Sequence, residues 1–259
     1  MTVAEKQQHL GLNISLSGPI SEEELFLSSV PAASAKDWRN EGKVAAVKHQ
    51  GECGSCWAFS AVGAVETNYA IQTGKRKQFA EQEYLDCTYS SSRDGCKGGW
   101  YHEAWSYSAM AGRLATLAAA PYKAKDGACS YDKVHNGLVA AKIGSSRFIS
   151  EGESNVISAL NSGAVSVAYE ATEDFFHYKD NIIRDNTCKM SANHAVTAVG
   201  YTRDAMIVKN SWGATWGRGG YFYTGRGHHG CQIYKHGMVP TLKSTGKTDT
   251  DADYVSFEE

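Results

Sequence analysis

The chain of 259 residues reads as an α+β protein whose helices come first and whose strands come later. Two observations carry that reading. Between residues 56 and 110 apolar residues recur at helical spacing, and after about residue 140 short β-branched and aromatic runs bounded by Gly, Asn and Asp replace them. Segregated helices and strands mark α+β, so we expect a mainly helical half over 30–140 and a mainly β half over 141–242. In the first, residues 56–71 form a helix: Trp57, Ser60, Ala61, Ala64, Val65, Asn68 and Tyr69 fall largely on one stripe, and Gly74 follows as a stop. A second helix covers 81–87 and a third 102–110, before Gly112. In the second half, residues 164–169, 195–201, 205–209 and 220–223 read as strands. Residues 1–29 are polar, and the S-x-x-E spacing of Ser21 and Glu24 predicts a short helix over 21–27. The tail, 243–259, is acidic and polar and reads as disordered.

Composition narrows the classes. Apolar residues make up 42% and charged residues 21%, ordinary globular usage that can supply a core. No apolar run approaches the ~18 residues of a membrane span; residues 114–120 are the nearest and mostly small. The formal charge of −2 gives no support for a nucleic-acid partner. Both ends are acidic, with a net −3 over 1–29 and again over 243–259, which leaves a body of +4. Residues 1–10 hold no apolar h-region, so no secretory signal is read in this chain.

Seven cysteines are an odd number, which fits three bridges and one reactive thiol or, alternatively, seven reduced thiols. The densest signal is Gln50-Gly-Glu-Cys53-Gly-Ser-Cys56-Trp57. Cys53 and Cys56 as half of a zinc site need two further ligands, yet no second Cys-x-x-Cys follows and the adjacent His228 and His229 cannot easily share an ion. As a dithiol redox pair they would follow a strand at 44–48 and leave five cysteines without a role. The third reading is a thiol nucleophile. Cys-Gly-Ser-Cys-Trp is followed 138 residues after Cys56 by His194 and 154 after it by Asn210, inside Lys209-Asn-Ser-Trp-Gly-Ala-Thr-Trp-Gly. Three segments in this order and at these separations resemble the papain-like cysteine peptidases, from about Val30-Pro31, through Asp37-Trp38-Arg39, to about Pro240.

The residue types suit the chemistry. A thiol attacks as thiolate; a sulfur opening a helix faces unpaired N–H groups and the positive end of the macrodipole, and a protonated His194 beside it adds a full charge. His194 then protonates the leaving amine. The Asn210 side-chain oxygen would accept the other ring N–H and fix its tautomer. The Gln50 amide beside the Cys56 N–H makes an oxyanion hole, in which one donor is worth roughly 3–4 kcal/mol of barrier. Each residue alone has a plainer reading: a half-buried strand histidine, turn residues at Asn210 and Gln50, core aromatics at Trp212 and Trp216.

The resemblance implies more. The fold is a papain-like two-domain arrangement, a helical half and an antiparallel β-barrel-like half with a cleft between them. Trp212 covers the His194–Asn210 bond. The bridges are Cys53–Cys96, Cys87–Cys129 and Cys188–Cys231, each worth roughly 4 kcal/mol on loop entropy, and Cys56 is left free. Bridges imply an oxidising compartment, secreted or lysosomal. Residues 1–29 look like a remnant of an inhibitory pro-segment which, lacking the long pro-segment helices, is not expected to silence the site by itself; Asn13-Ile14-Ser15 is a lone glycosylation sequon. Gly98 and Gly99 pair with the substrate backbone, with Asn193 nearby. Trp100, Tyr101, Ala168, Ala192 and Ala195, with His236 at the base, line the pocket for the side chain two residues before the scissile bond. Small alanines and an indole wall favour a bulky hydrophobic side chain there, and His236 adds pH dependence. Ala80 stands where a Ser commonly caps the 81–87 helix, Gln232 where Gly is usual after Cys231, and Ala120 where Tyr is usual before Pro121.

The expectation is therefore a monomeric cysteine endopeptidase with no metal and no organic cofactor. Its partners are protein or peptide substrates, its own pro-segment and protein inhibitors, with neither nucleic acid nor membrane among them. An exopeptidase of the same family is the enzymatic alternative, although no inserted loop blocks one end of the cleft. A non-catalytic binding protein on the same fold is the other.

Overall fold

The longest helix, α2 (Cys56–Thr73), is buried on nearly every face from Cys56 to Ala70, so it is a central helix and not the one-sided helix its stripe suggests. The computed structural model describes residues 3–14, 25–26, 33–88, 95–129, 139–184, 188–189, 191–227 and 230–243. Helix α1 is Val3–Gln8. Around α2 lie α3 (Glu81–Cys87) and α4 (Tyr101–Ala111), with Trp105 Nε1 donating to the Ala61 carbonyl at 3.2 Å. Gly74 and Gly112 end α2 and α4 at φ of +75° and +76°, a left-handed stop that costs glycine no Cβ clash.

On the other side of α2 is one open sheet. Its strands are β1 (Leu25–Phe26), β5 (Ile143–Ile149), β11 (Met238–Leu242), β6 (Val165–Tyr169), β8 (His194–Tyr201), β9 (Ala205–Lys209), β10 (Tyr221–Gly225) and β7 (Ile182–Ile183), in that order, with β2 (Lys36–Asp37) paired to β8. The pairings of β1 with β5 and of β7 with β10 are parallel and the remainder antiparallel. A separate ribbon joins β3 (Leu114–Ala115) to β4 (Val139–Ala141). Helix α5 (Glu153–Leu160) packs on the sheet after Gly152.

The seam between helix and sheet is close and hydrogen-bonded. Ser60 Oγ donates to the Val196 carbonyl at 2.7 Å, and Ser166 Oγ donates to the Ser60 carbonyl at 2.9 Å. A Cβ at Gly63 would sit 2.6 Å from Thr197 Oγ1, so glycine lets α2 and β8 touch. Core apolar side chains form one cluster around α2, α3 and α4 and a second, aromatic one between β6, β8 and β10.

Four expectations change. The sheet does not close, so the second half is not a barrel. Residues 25–26 are strand, held by pairing to Phe148 and Ile149, and the helix of the N-terminal stretch is 3–8; Ser21 and Glu24 lie outside the described residues, as do Ser15 of the sequon, Val30, Pro31, His228, His229 and the tail from 244. Residues 44–48 form no strand. Segregation is incomplete: β2 crosses to the sheet, and α5 sits among the strands. Cysteines pair as Cys53–Cys96, Cys87–Cys129 and Cys188–Cys231, leaving Cys56 as the free thiol. That pairing removes both the zinc and the dithiol readings of Cys53 and Cys56.

The departures at Ala80 and Gln232 have local consequences. Gln232 takes φ +79°, a left-handed backbone that favours the glycine it replaces. Ala80 occupies the N-cap of α3 in extended conformation with no side-chain cap. Ala80→Ser supplies that missing acceptor, and calorimetry should show a gain of about 1 kcal/mol, roughly 2–4 °C in Tm; an unchanged Tm would mean the cap hydroxyl does not reach the first turn.

Candidate active site

Cys56 is the first residue of α2, and its sulfur lies against the start of β8. Ser55, at the helix N-cap, makes no side-chain cap; its hydroxyl hydrogen-bonds Tyr122 Oη at 2.6 Å instead. The first two N–H groups of the helix, those of Cys56 and Trp57, face the sulfur together with those of Ala195 and Gly11. The Ala195 N–H reaches Cys56 Sγ at 3.4 Å. The neighbouring His194 opens β8, with its Nε2 at 2.8 Å from Asn210 Oδ1. Antiparallel pairing of β8 with β9 makes that contact, since Asn210 is the residue after β9. The Trp212 ring lies 4.9 Å from the imidazole, centroid to centroid, and stacks on Phe176 at 5.0 Å and 14°. Indole and phenyl thus shield the His194–Asn210 bond from water.

Gln50 joins the group. Its Oε1 accepts from Ser211 Oγ at 2.6 Å, which orients Nε2 to donate to the Cys53 carbonyl at 2.8 Å and to the His9 carbonyl at 3.2 Å. Tyr122 Oη fixes the Gln50 carbonyl at 2.7 Å.

Residues 6–13 cover these groups. Lys6 pairs with Glu173 and sits 5.5 Å over the Phe176 ring; the His9 ring lies 5.9 Å from Trp212. Gly11 follows, seated so closely on Gly54 that a Cβ would overlap the Gly54 carbonyl. Leu12 N–H donates to Asn193 O at 3.2 Å, Asn13 N–H to Gly99 O at 2.9 Å and Gly99 N–H to Gly11 O at 2.9 Å. The stretch that was not expected to silence the site by itself lies directly across it, held by backbone bonds instead of long helices. Burial pushes the Cys56 thiol up to about 11, and burial with the charge of His9 in this segment brings His194 down to about 4. The covered pair is neutral because desolvation disfavours both charges.

The remaining sequence-selected residues spread around the same cleft. Gly98 and Gly99 meet the covering segment through their backbone. Ala168 lies opposite Ala195 in the β6–β8 register. Tyr101 Oη donates to the His236 carbonyl, so these two do meet. Trp100 is 1% exposed and packs its ring on Tyr101, His102 and Phe148. Asn193 is tied through its side chain to Ala171, and Ala192 is half-buried. His236 is half-buried, and burial lowers its basicity. Ser211, Tyr122, Phe176 and Gly11 escaped the sequence reading; of these only Ser211, between Asn210 and Trp212, had a signal in its position.

A lone thiol at a helix start, an amide-bound imidazole and an amide donor define a thiol-dependent hydrolase. Residues 32–241 match the papain family of cysteine proteases. Ananain from Ananas comosus is 37% identical over 244 residues, covering 91% of this chain and 68% of its own. Two solved structures are similar. Bromelain from Ananas comosus, in complex with the E64 inhibitor, gives a TM-score of 0.75 at 38% identity, over 83% of this chain and 100% of the other. Digestive procathepsin L2 proteinase from Tenebrio molitor larval midgut gives 0.84 at 34% identity, over 93% and 81%. The chain belongs to the papain family and is a cysteine peptidase.

Gly11→Ala should unseat the covering segment. Alkylation of Cys56 by iodoacetamide, followed by mass spectrometry, is expected to speed up at least about tenfold, the effect of ~1.4 kcal/mol of lost seating; an unchanged rate would place the segment elsewhere.

Proposed function

We propose that this protein is an endopeptidase that works through a Cys56 thiolate and a His194 imidazolium, and that residues 6–13 hold it latent until they leave. The observation that carries this is Cys56 Sγ at the start of α2, 3.4 Å from the backbone N of the residue after His194, whose imidazole Asn210 binds. Once uncovered, both groups regain solvent, and the proton passes from thiol to ring to give the ion pair. The thiolate adds to the scissile carbonyl. Gln50 Nε2 and the Cys56 N–H donate to the oxyanion, the position where the His9 carbonyl now accepts from Gln50. His194 gives its proton to the leaving amine, and the acyl group stays on sulfur as a thioester. Water, losing a proton to His194, then releases the acid and restores the thiolate and imidazolium.

Direction supports latency. The imidazole that must protonate the leaving amine lies beside Trp212, so substrate runs from Gly99 toward Trp212. The covering segment runs from His9 at Trp212 to Asn13 at Gly99, the reverse course, and so presents its peptide bonds the wrong way round for acyl transfer.

Opening moves one proton within the pair. Covered, the thiol lies near 11 and the imidazole near 4, so the shared proton sits on sulfur; uncovered, it sits on the ring. Both forms hold one proton, so opening takes none from solvent. Alkylation of the latent protein should thus be nearly flat between pH 5 and 7; a roughly tenfold change across that span counts against the shared proton.

Ala168 facing Ala195 leaves room for a large apolar side chain two residues before the scissile bond, with His236 at the pocket base. Dipeptide substrates with Phe at that position should outrun Gly and Glu at pH 5 and 7; equal rates would remove the preference. Stoichiometric epoxide labelling at Cys56, with parallel loss of hydrolysis and none of either in Cys56→Ala, tests the activity itself. Full labelling without any hydrolysis would favour a binding role on this fold. The three bridges support a secreted or lysosomal setting.

A further inference from the structure

Four ionisable side chains scattered through the sequence meet beneath the site. Lys48 Nζ donates to Glu66 Oε1 at 2.6 Å and to Glu81 Oε1 at 2.7 Å. Lys209 is buried beside them and donates to the Ala45 carbonyl at 2.9 Å. Each sits on an element that carries the site: Lys48 is two residues before Gln50, Glu66 is on α2, Glu81 opens α3, and Lys209 precedes Asn210. Among them is a cavity of about 20 Å³, lined also by Ser60, Gly63 and Asn210. That space takes one water. Two of the lining residues bring buried polar atoms without a partner among the described residues, Asn210 Nδ2 and Glu81 Oε2. Buried donors and acceptors are rarely left unpaired.

We propose that a water bound in this cavity accepts from Asn210 Nδ2 and donates to Glu81 Oε2, which makes Glu81 a positioning residue for the His194–Asn210 pair. The donors and acceptors match in polarity: amide hydrogen to water oxygen, water hydrogen to carboxylate. Asn210 Oδ1 already accepts from the Ser211 N–H at 2.9 Å as well as facing the ring. An acceptor fixed on the Nδ2 side then holds the amide against the flip that would turn Nδ2 toward the imidazole. Lys48 anchors the carboxylate through its other oxygen, so the water cannot drag it.

The same arrangement sets the charge behind the imidazole. Groups facing Glu81 are Lys48, Glu66 and Lys209, with the phenols of Tyr84 and Tyr122; the ionisable group facing the His194 ring is His9. Burial brings Lys209 down to about 8 and raises Glu81, against the pull of Lys48. Lys48 forms ion pairs with both Glu66 and Glu81, at 2.6 and 2.7 Å. Glu81→Gln removes one of these negative charges, which disfavours the imidazolium.

The inference rests on peptide hydrolysis by Cys56 and His194, and its tests separate the two. In Glu81→Gln, kcat should fall roughly tenfold to a hundredfold with KM nearly unchanged, and the basic limb of kcat/KM should move down by about half to one pH unit. A structural role alone would lower yield or Tm without moving that limb. A high-resolution crystal structure of the Cys56→Ala protein, which needs no Glu81 variant to fold, should show one water within hydrogen-bond distance of both Asn210 Nδ2 and Glu81 Oε2. A dry cavity, or a folded Glu81→Gln enzyme with wild-type kcat and pH profile, overturns the assignment. A wild type without peptidase activity overturns the underlying reading instead.

Discussion

Everything in this molecule depends on α2 and β8 lying close enough for a helix N-terminus and a strand start to share one site. Here Gly63 removes the Cβ that would meet Thr197, and Ser60 exchanges hydrogen bonds with Val196 and Ser166 across the seam. The seam brings residue 56 against residue 195, and the chemistry of a thiol beside an imidazole follows from that approach.

The covered state shows how strongly solvent governs the pair. Two groups whose roles require opposite charges are both driven neutral when a short stretch of backbone displaces water from them. No strong ionic clamp is needed for this. Backbone bonds to Gly99 and Asn193, together with a glycine thin enough to pass over Gly54, suffice. On the proposed reading, latency and activity are two hydration states of one arrangement.

Much of this was legible in the sequence. Helices ended where Gly74 and Gly112 said they would, because a left-handed stop is a local property. Cys56, His194, Asn210 and Gln50 were readable as a set, since their spacing is that of a known family and their chemistry is distinctive. What escaped was non-local or ambiguous in period. Residues 143–149 alternate only with small and polar neighbours and gave no strand signal. Residues 153–160 are a short helix whose apolar face emerges only against the sheet. Lys48, Glu66, Glu81 and Lys209 look like surface charges until the fold gathers them, because charge pairing across such separations leaves no trace in local pattern. Sheet closure was likewise a global property, and the expectation of a barrel failed there.

The three bridges have a mechanical consequence. Two interlock within residues 53–129, and the third closes residues 188–231. The reacting sulfur belongs to the first stapled region and the imidazole to the second, and no bridge joins the two. Covalent chemistry therefore preserves each half while exerting no control over the gap between them. The alignment of sulfur and imidazole thus rests on the non-covalent packing of α2 against β8.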